Sequence, residues 1–162
     1  RALGQRSILA DPRDINSRDR VNAIIKFREY WRPFCPSILA ERAPDYFEKY
    51  TDAPFMVIAF RANEKLKTDA PAVVHVDGTA RVQLVDRQVL SGYHALISEF
   101  EKLTGVGVLL NTSFNVKGEP IVCTVRDALR TFWSTGLDAL AVGDFIVRKP
   151  VDRPFHTAVT YE

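Results

Sequence analysis

The chain has no apolar run approaching the roughly 20 residues a bilayer-spanning helix needs, and its start lacks the basic-then-apolar order of an export signal. A cytoplasmic protein is the expectation. Cysteine is scarce: Cys35 and Cys123 share no metal-type spacing, so both are expected to be reduced core thiols. Histidine is scarce too, and His75, His94 and His156 are scattered, which argues against a zinc site built from His and Cys; no metal site is expected in this chain. No convincing Ser-His-Asp set is present, so hydrolysis by an activated serine is not the first reading. The net charge is only +2 at pH 7, little for a surface devoted to nucleic acid. Internal repeats and low-complexity segments are also lacking.

What is present suits one globular domain: 162 residues, 46% hydrophobic and 26% charged. The small net charge conceals an asymmetry, because residues 1–32 carry eight Lys or Arg against four acids. Part of that excess lies in KFREYWRPF, residues 26–34, where Lys26, Arg28 and Arg32 stand among aromatic residues. Three readings fit: a solvated basic face, ion pairs with distant acids, or a site for an anionic ligand such as phosphate, nucleotide or a nucleic acid backbone. The chain begins at Arg1, inside what reads as a motif, RALGQRSILADPR, so we expect a module of a longer protein.

Ser17 or Asn16 is expected to cap a helix that buries Val21, Ile24 and Ile25 and ends at Lys26. A short strand is expected near 37–39, and FMVIAF (55–60) reads as a strongly apolar strand. RANEKLKTDA (61–70) lacks any pattern and reads as a mobile surface connection. A turn at Asp77 to Thr79 precedes a strand over 81–85. Leu96, Ile97, Phe100 and Leu103 mark the inward face of a helix over 93–104 that stops at Gly105. GVLL (107–110) reads as a buried strand. Thr124 and Asp127 form a capping box for a helix burying Ala128, Leu129, Phe132 and Trp133 and ending at Gly136. ALAVGDFIV closes the core as a hairpin turning at Gly143-Asp144, and the tail from Pro150 is peripheral. Strands mixed with a few helices predict an α/β (α+β) domain around one twisted sheet.

The loop NTSFNVKGEP follows the buried strand directly, where α/β folds place ligands. It supplies Asn111, Thr112, Ser113 and Asn115, although a purely structural turn with Asx hydrogen bonds fits equally. Coupled with Lys26-x-Arg28, the Ser113-x-Asn115 pair suits a phosphoanhydride or an acyl phosphate. Were residues 26 and 28 extended, both side chains would share a face. Phosphoryl and adenylyl transfer need positioning and charge neutralisation more than a nucleophilic side chain. His75 could contact a ligand or be a packed core histidine, and Glu119 could approach a metal-bound nucleotide.

The Lys-x-Arg and Ser-x-Asn pairs are similar to the tetrad of YrdC-like domains. More narrowly, RALGQRSILADPR, KFREYWRPFCPSIL, PAVVHVDGTARVQ, LLNTSFNVKGEPIVCT and DALRTFWSTGLDALAVGDFIVRK resemble the carboxy-terminal domain of the O-carbamoyltransferases, the family of nodulation protein U and antibiotic carbamoylating enzymes. The resemblance runs over residues 1–149 and leaves 150–162 as a tail. It implies a YrdC-like mixed sheet flanked by helices. It also implies a partner domain of the actin and hexokinase type, absent here, that holds iron and the acceptor site. This part would bind ATP, with Mg2+, and carbamoyl phosphate, and would form carbamoyl adenylate for transfer to an acceptor hydroxyl. Carried over by position, Lys26, Arg28 and Ser113 are the catalytic candidates, and Arg1, Arg32, Arg81, Asn111, Asn115 and His75 are candidates for binding carbamoyl phosphate and ATP. Tyr30, Trp31 and Phe34 would pack behind or over the nucleotide base. No membrane partner is expected. The competing readings are an RNA-binding module, which a steep salt dependence without response to ATP would reveal, and a nucleotide sensor without turnover.

Overall fold

The computed structural model describes residues 2–27 and 33–150. In chain order these form β1 (Ser7–Ala10), α1 (Ile15–Val21), β2 (Cys35–Leu39), α2 (Ala43–Tyr46), β3 (Ala59–Arg61), α3 (Glu64–Asp69), β4 (Thr79–Arg81), β5 (Gln83–Val85), α4 (Ser91–Thr104), β6 (Val108–Ser113), α5 (Val125–Ser134), β7 (Ala139–Val142) and β8 (Phe145–Arg148). A π-helical turn, Asn22–Lys26, extends α1. The mixed α/β class is as expected. The single sheet becomes a four-stranded sheet, order β1-β6-β2-β5, with two separate ribbons, β3-β4 and β7-β8.

β6 sits at the centre, antiparallel to β1 and to β2, while β2 and β5 run parallel. Its side chains enter both layers of the core. Val108 and Leu110 join Ile38, Phe47 and Phe132 on one face, and Leu109 joins Leu39, Val85, Tyr93 and Ile97 on the other. A strand covered on both faces reads as an unbroken apolar run. Each such side chain, fully buried, contributes about 1.5–3 kcal/mol.

α4 begins at Ser91 and stops at Gly105, left-handed at φ 79°, whose N–H returns to the Glu101 carbonyl at 2.7 Å. Tyr93 and Ile97 face the sheet, but Leu96 and Leu103 are exposed, against expectation. At 3.6 residues per turn they lie about 100–120° around the helix from Ile97, outside its contact with the sheet. α5 carries the expected capping box: the Thr124 side chain accepts from the Asp127 N–H, and the Asp127 carboxylate accepts from the Thr124 N–H. Ala128 and Phe132 point inward, whereas Trp133 is half exposed.

Other expectations are corrected. Only Ala59 and Phe60 of the 55–60 run lie in a strand, β3, and Phe55 and Val57 are exposed. The left-handed Met56, φ 56°, breaks the extension before it. The stretch 61–70 contains α3: the Asn63 side chain accepts from the Leu66 N–H at 3.0 Å and Leu66 is fully buried. Residues 81–85 divide at Val82, so β4 pairs with β3 and β5 with β2. The cap of α1 is Asp14, accepting from the Asn16 N–H at 2.9 Å, in place of Ser17 or Asn16. The β7-β8 hairpin turns at Gly143-Asp144 as expected, but Phe145 and Ile146 are exposed and Leu140 alone of the two strands is fully within the core. Cys35 is buried; Cys123 is exposed. Among the described residues no helix is long and apolar enough to cross a membrane.

Candidate functional site

The helix that delivers Lys26 widens before it arrives. The π turn Asn22–Lys26 ends at Phe27, a non-glycine residue held left-handed at φ 47°. Such turns recur at functional sites, and a left-handed non-glycine residue costs on the order of 1–3 kcal/mol. The loop after α5 supports this geometry. The Gly136 N–H donates to the Ile24 carbonyl at 3.1 Å, and a Cβ on Gly136 would fall 2.5 Å from Ile24 Cδ1, so only glycine fits there.

This turn aims the Lys26 ammonium at the end of β6. Lys26, 5% exposed, donates from Nζ to the Ser113 carbonyl (2.5 Å), Ser113 Oγ (3.1 Å), the Asn115 carbonyl (2.9 Å) and Asn115 Oδ1 (2.8 Å). All four of these acceptors are neutral oxygens. The Ser113 hydroxyl donates to Asn115 Oδ1 at 2.5 Å, and Asn115 Nδ2 donates to the Glu119 carbonyl at 2.7 Å. Lys26, Ser113 and Asn115 are therefore brought together from segments 87 residues apart. Lys26 reaches them from a helical turn, in place of the extended conformation considered for it. Arg1, Arg28 and Arg32, with Tyr30 and Trp31, lie outside the described residues. Phe34 is a core residue, 1% exposed.

Arg81, at the end of β4, donates from Nε and Nη2 to Cys35 Sγ at 3.2 and 3.1 Å. A thiol sulfur is a weak acceptor. Cys35 pairs with Asn111 in the β2-β6 register, which sets Arg81 beside the same stretch of β6. His75 approaches Thr79 Oγ1 through Nδ1 at 3.2 Å, and Thr79 Oγ1 donates to Asp77 Oδ1 at 2.7 Å. His75 Nε2 is buried without a hydrogen bond. Burial pushes the imidazole below its ordinary pKa of 6.5; Asp77 opposes the shift and Arg81 adds to it.

Asn111 is 1% exposed and belongs to a buried polar quartet that the sequence reading missed. Its Nδ2 donates to Ser37 Oγ at 2.9 Å and the Tyr93 hydroxyl at 3.2 Å, with Gln83 Oε1 at 3.4 Å. Ser37 Oγ donates to Gln83 Oε1 at 2.8 Å, and Gln83 Nε2 donates to the Leu3 carbonyl at 3.3 Å. Burial pushes the Tyr93 hydroxyl up to about 12. Asn111 Oδ1 has no partner. A signal was available: Ser37 in CPSIL and Gln83 in VQLV are polar residues inside otherwise apolar strands. Above the quartet, Gly4 (φ 94°) presses on the Tyr93 ring, and a Cβ there would sit 2.3 Å from Cδ1. An open depression of about 350 Å³ lies against Ala2, Leu3, Phe55 and Met56.

The structure thus gathers an ammonium, a guanidinium, and amide and hydroxyl groups around the end of β6. The chain is 49% identical over 157 residues to the nodulation protein NolNO of Sinorhizobium fredii, covering 95% of this chain and 23% of that protein. It is 50% identical over 152 residues to the nodulation protein NolO of Bradyrhizobium diazoefficiens, covering 92% and 28%. With nodulation protein U of Azorhizobium caulinodans it shares 38% identity over 150 residues, covering 86% and 27%. The chain thus spans about a quarter of the length of these relatives. Residues 1–149 match the family described as carbamoyltransferase C-terminus, and the chain belongs to that family.

Proposed function

We propose that this domain is the activating part of an ATP-dependent O-carbamoyltransferase. It binds ATP and carbamoyl phosphate and makes carbamoyl adenylate, which a second domain passes to an acceptor hydroxyl. The observation that supports this reading is the Lys26 ammonium within hydrogen-bond distance of Ser113 and Asn115, a cation beside the hydroxyl and amide groups proposed to hold nucleotide oxygens.

The atoms balance in two steps. Water releases phosphate from carbamoyl phosphate and leaves carbamate. A carbamate oxygen then attacks the α-phosphorus of ATP, the bond from that phosphorus to the bridging oxygen breaks, and pyrophosphate leaves. Lys26 and Arg28 offset charge at the α-phosphate. Arg32 and Arg81 grip the phosphate of carbamoyl phosphate in bidentate fashion, Ser113 and Asn115 hold nucleotide oxygens, and Asn111 orients the carbamoyl group. Arg1 and His75 are assigned to binding the same two ligands. Magnesium enters with ATP, and iron belongs to the other domain. A preformed cation at the α-phosphate strengthens its contacts as charge develops there, the condition for raising kcat.

The test is exchange of labelled pyrophosphate into ATP by the full-length protein carrying this chain. Exchange should depend on carbamoyl phosphate and fall about 10²-fold or more in Ser113→Ala combined with Lys26→Met, a loss of the size seen for removed charge-stabilising donors. Absence of exchange in the unmodified protein overturns the reading.

A further inference from the structure

We infer that Ser37, Gln83 and Tyr93 are positioning residues that turn the Asn111 carboxamide so that its Oδ1 accepts a hydrogen bond from the ligand's NH2 group, making the site selective for carbamoyl over other acyl phosphates. This rests on the carbamoyl-activation reading and adds to it the device that tells one acyl group from another.

The three residues take up the donor end of the carboxamide: Ser37 Oγ at 2.9 Å, the Tyr93 hydroxyl at 3.2 Å and Gln83 Oε1 at 3.4 Å all face Nδ2. A carboxamide held in this way cannot rotate without breaking these bonds. The acceptor end, Oδ1, is left buried and unpaired. Native proteins rarely bury an acceptor alone, and each exception asks for an explanation. A ligand N–H supplies one here. Asn111 and Ser113 occupy alternate positions of β6 and share a face, about 7 Å apart along the strand. That spacing suits an acyl group read at Asn111 as it becomes joined to the nucleotide α-phosphate at the Lys26, Ser113 and Asn115 cluster. The quartet also has a movable cover. Gln83 Nε2 holds the Leu3 carbonyl and Gly4 lies on the Tyr93 ring, so the turn at residues 2–5 roofs the quartet and its displacement would admit the ligand. The depression against Ala2 and Leu3 opens at that roof.

Acetyl phosphate is the informative competitor, because a methyl group replaces the NH2 and donates nothing. A site built around a hydrogen bond rejects an analogue lacking the donor far better than an apolar pocket rejects a small change of shape. In the full-length protein, acyl-phosphate-dependent pyrophosphate exchange should prefer carbamoyl over acetyl phosphate by about 10²-fold or more. Tyr93→Phe keeps the ring against Gly4 and removes only the hydroxyl. It should raise KM for carbamoyl phosphate about 5–10-fold, as expected for one weakened neutral hydrogen bond. Its kcat, its KM for ATP and its use of acetyl phosphate should stay near those of the unmodified protein. Ser37→Ala should show the same split and serves if Tyr93→Phe unfolds. Asn111→Leu should erase the preference. Equal use of carbamoyl and acetyl phosphate by the unmodified protein overturns this inference alone. So does a Tyr93→Phe effect spread equally over both acyl phosphates and ATP. No exchange with any acyl phosphate overturns the activation reading, and this inference with it.

Discussion

Lys26→Met removes the ammonium while keeping the apolar stem in place. The group it removes makes four contacts between 2.5 and 3.1 Å in a residue only 5% exposed. Three protons give three charged hydrogen bonds, each contributing about 1.5–3 kcal/mol, or roughly 4.5–9 kcal/mol together. Against this, the variant no longer has to strip water from an ammonium, a cost of several kcal/mol. The carbonyls of Ser113 and Asn115 and the Asn115 side chain then face a thioether, a weak acceptor with nothing to donate. The balance is a net loss of about 1–4 kcal/mol of folding stability. With a urea m-value near 2 kcal/mol/M, the denaturation midpoint should fall by about 0.5–2 M at unchanged m. A midpoint equal to that of the unmodified protein, or higher, refutes the reasoning: it would mean that the ammonium is held in place against folding, and that its hydrogen bonds do not fasten the π turn to the end of β6.

Gly4→Ala places a methyl 2.3 Å from Tyr93 Cδ1 at a φ of 94°. The clash and strain should cost about 2 kcal/mol or more and lower Tm by at least about 4 °C in thermal unfolding; an unchanged Tm would mean the turn at residues 2–5 does not rest on α4. His75 in the folded protein binds its proton less readily than the unfolded value of 6.5. The unfolded chain therefore takes up the proton first, and stability should fall as pH drops through about 6.5, levelling off below the folded pKa. His75→Gln should flatten that part of the stability–pH curve, measured by denaturant titration at several pH values, and parallel curves for the two proteins would contradict the assignment.

The helices with local punctuation were legible. α5 follows from Thr124 and Asp127 and α4 from its stop at Gly105, because caps are written in neighbouring residues. α3 escaped because a six-residue helix with one buried anchor, Leu66, shows no period; its only signal was Asn63 at the cap. The 55–60 run misled because apolar composition cannot reveal the left-handed turn at Met56. At the candidate site, the closeness of Lys26 to Ser113 and Asn115 accords with the pairing of their motifs, but alternation along a strand was the wrong geometry for a residue on a π turn. The quartet around Asn111 was invisible as a unit, since Ser37, Gln83, Tyr93 and Asn111 come from four separate segments that only the sheet and α4 bring together.

The position of β6 also fixes when this domain can take shape during synthesis. It is the last of the four main strands to be made, yet it stands between β1 and β2. Until it emerges from the ribosome, those two strands have no neighbour to join them and expose open backbone edges of the kind that aggregate. The contacts of Lys26 with Ser113 and Asn115 span the same long closure, so a prematurely terminated product lacks both a closed sheet and that cluster.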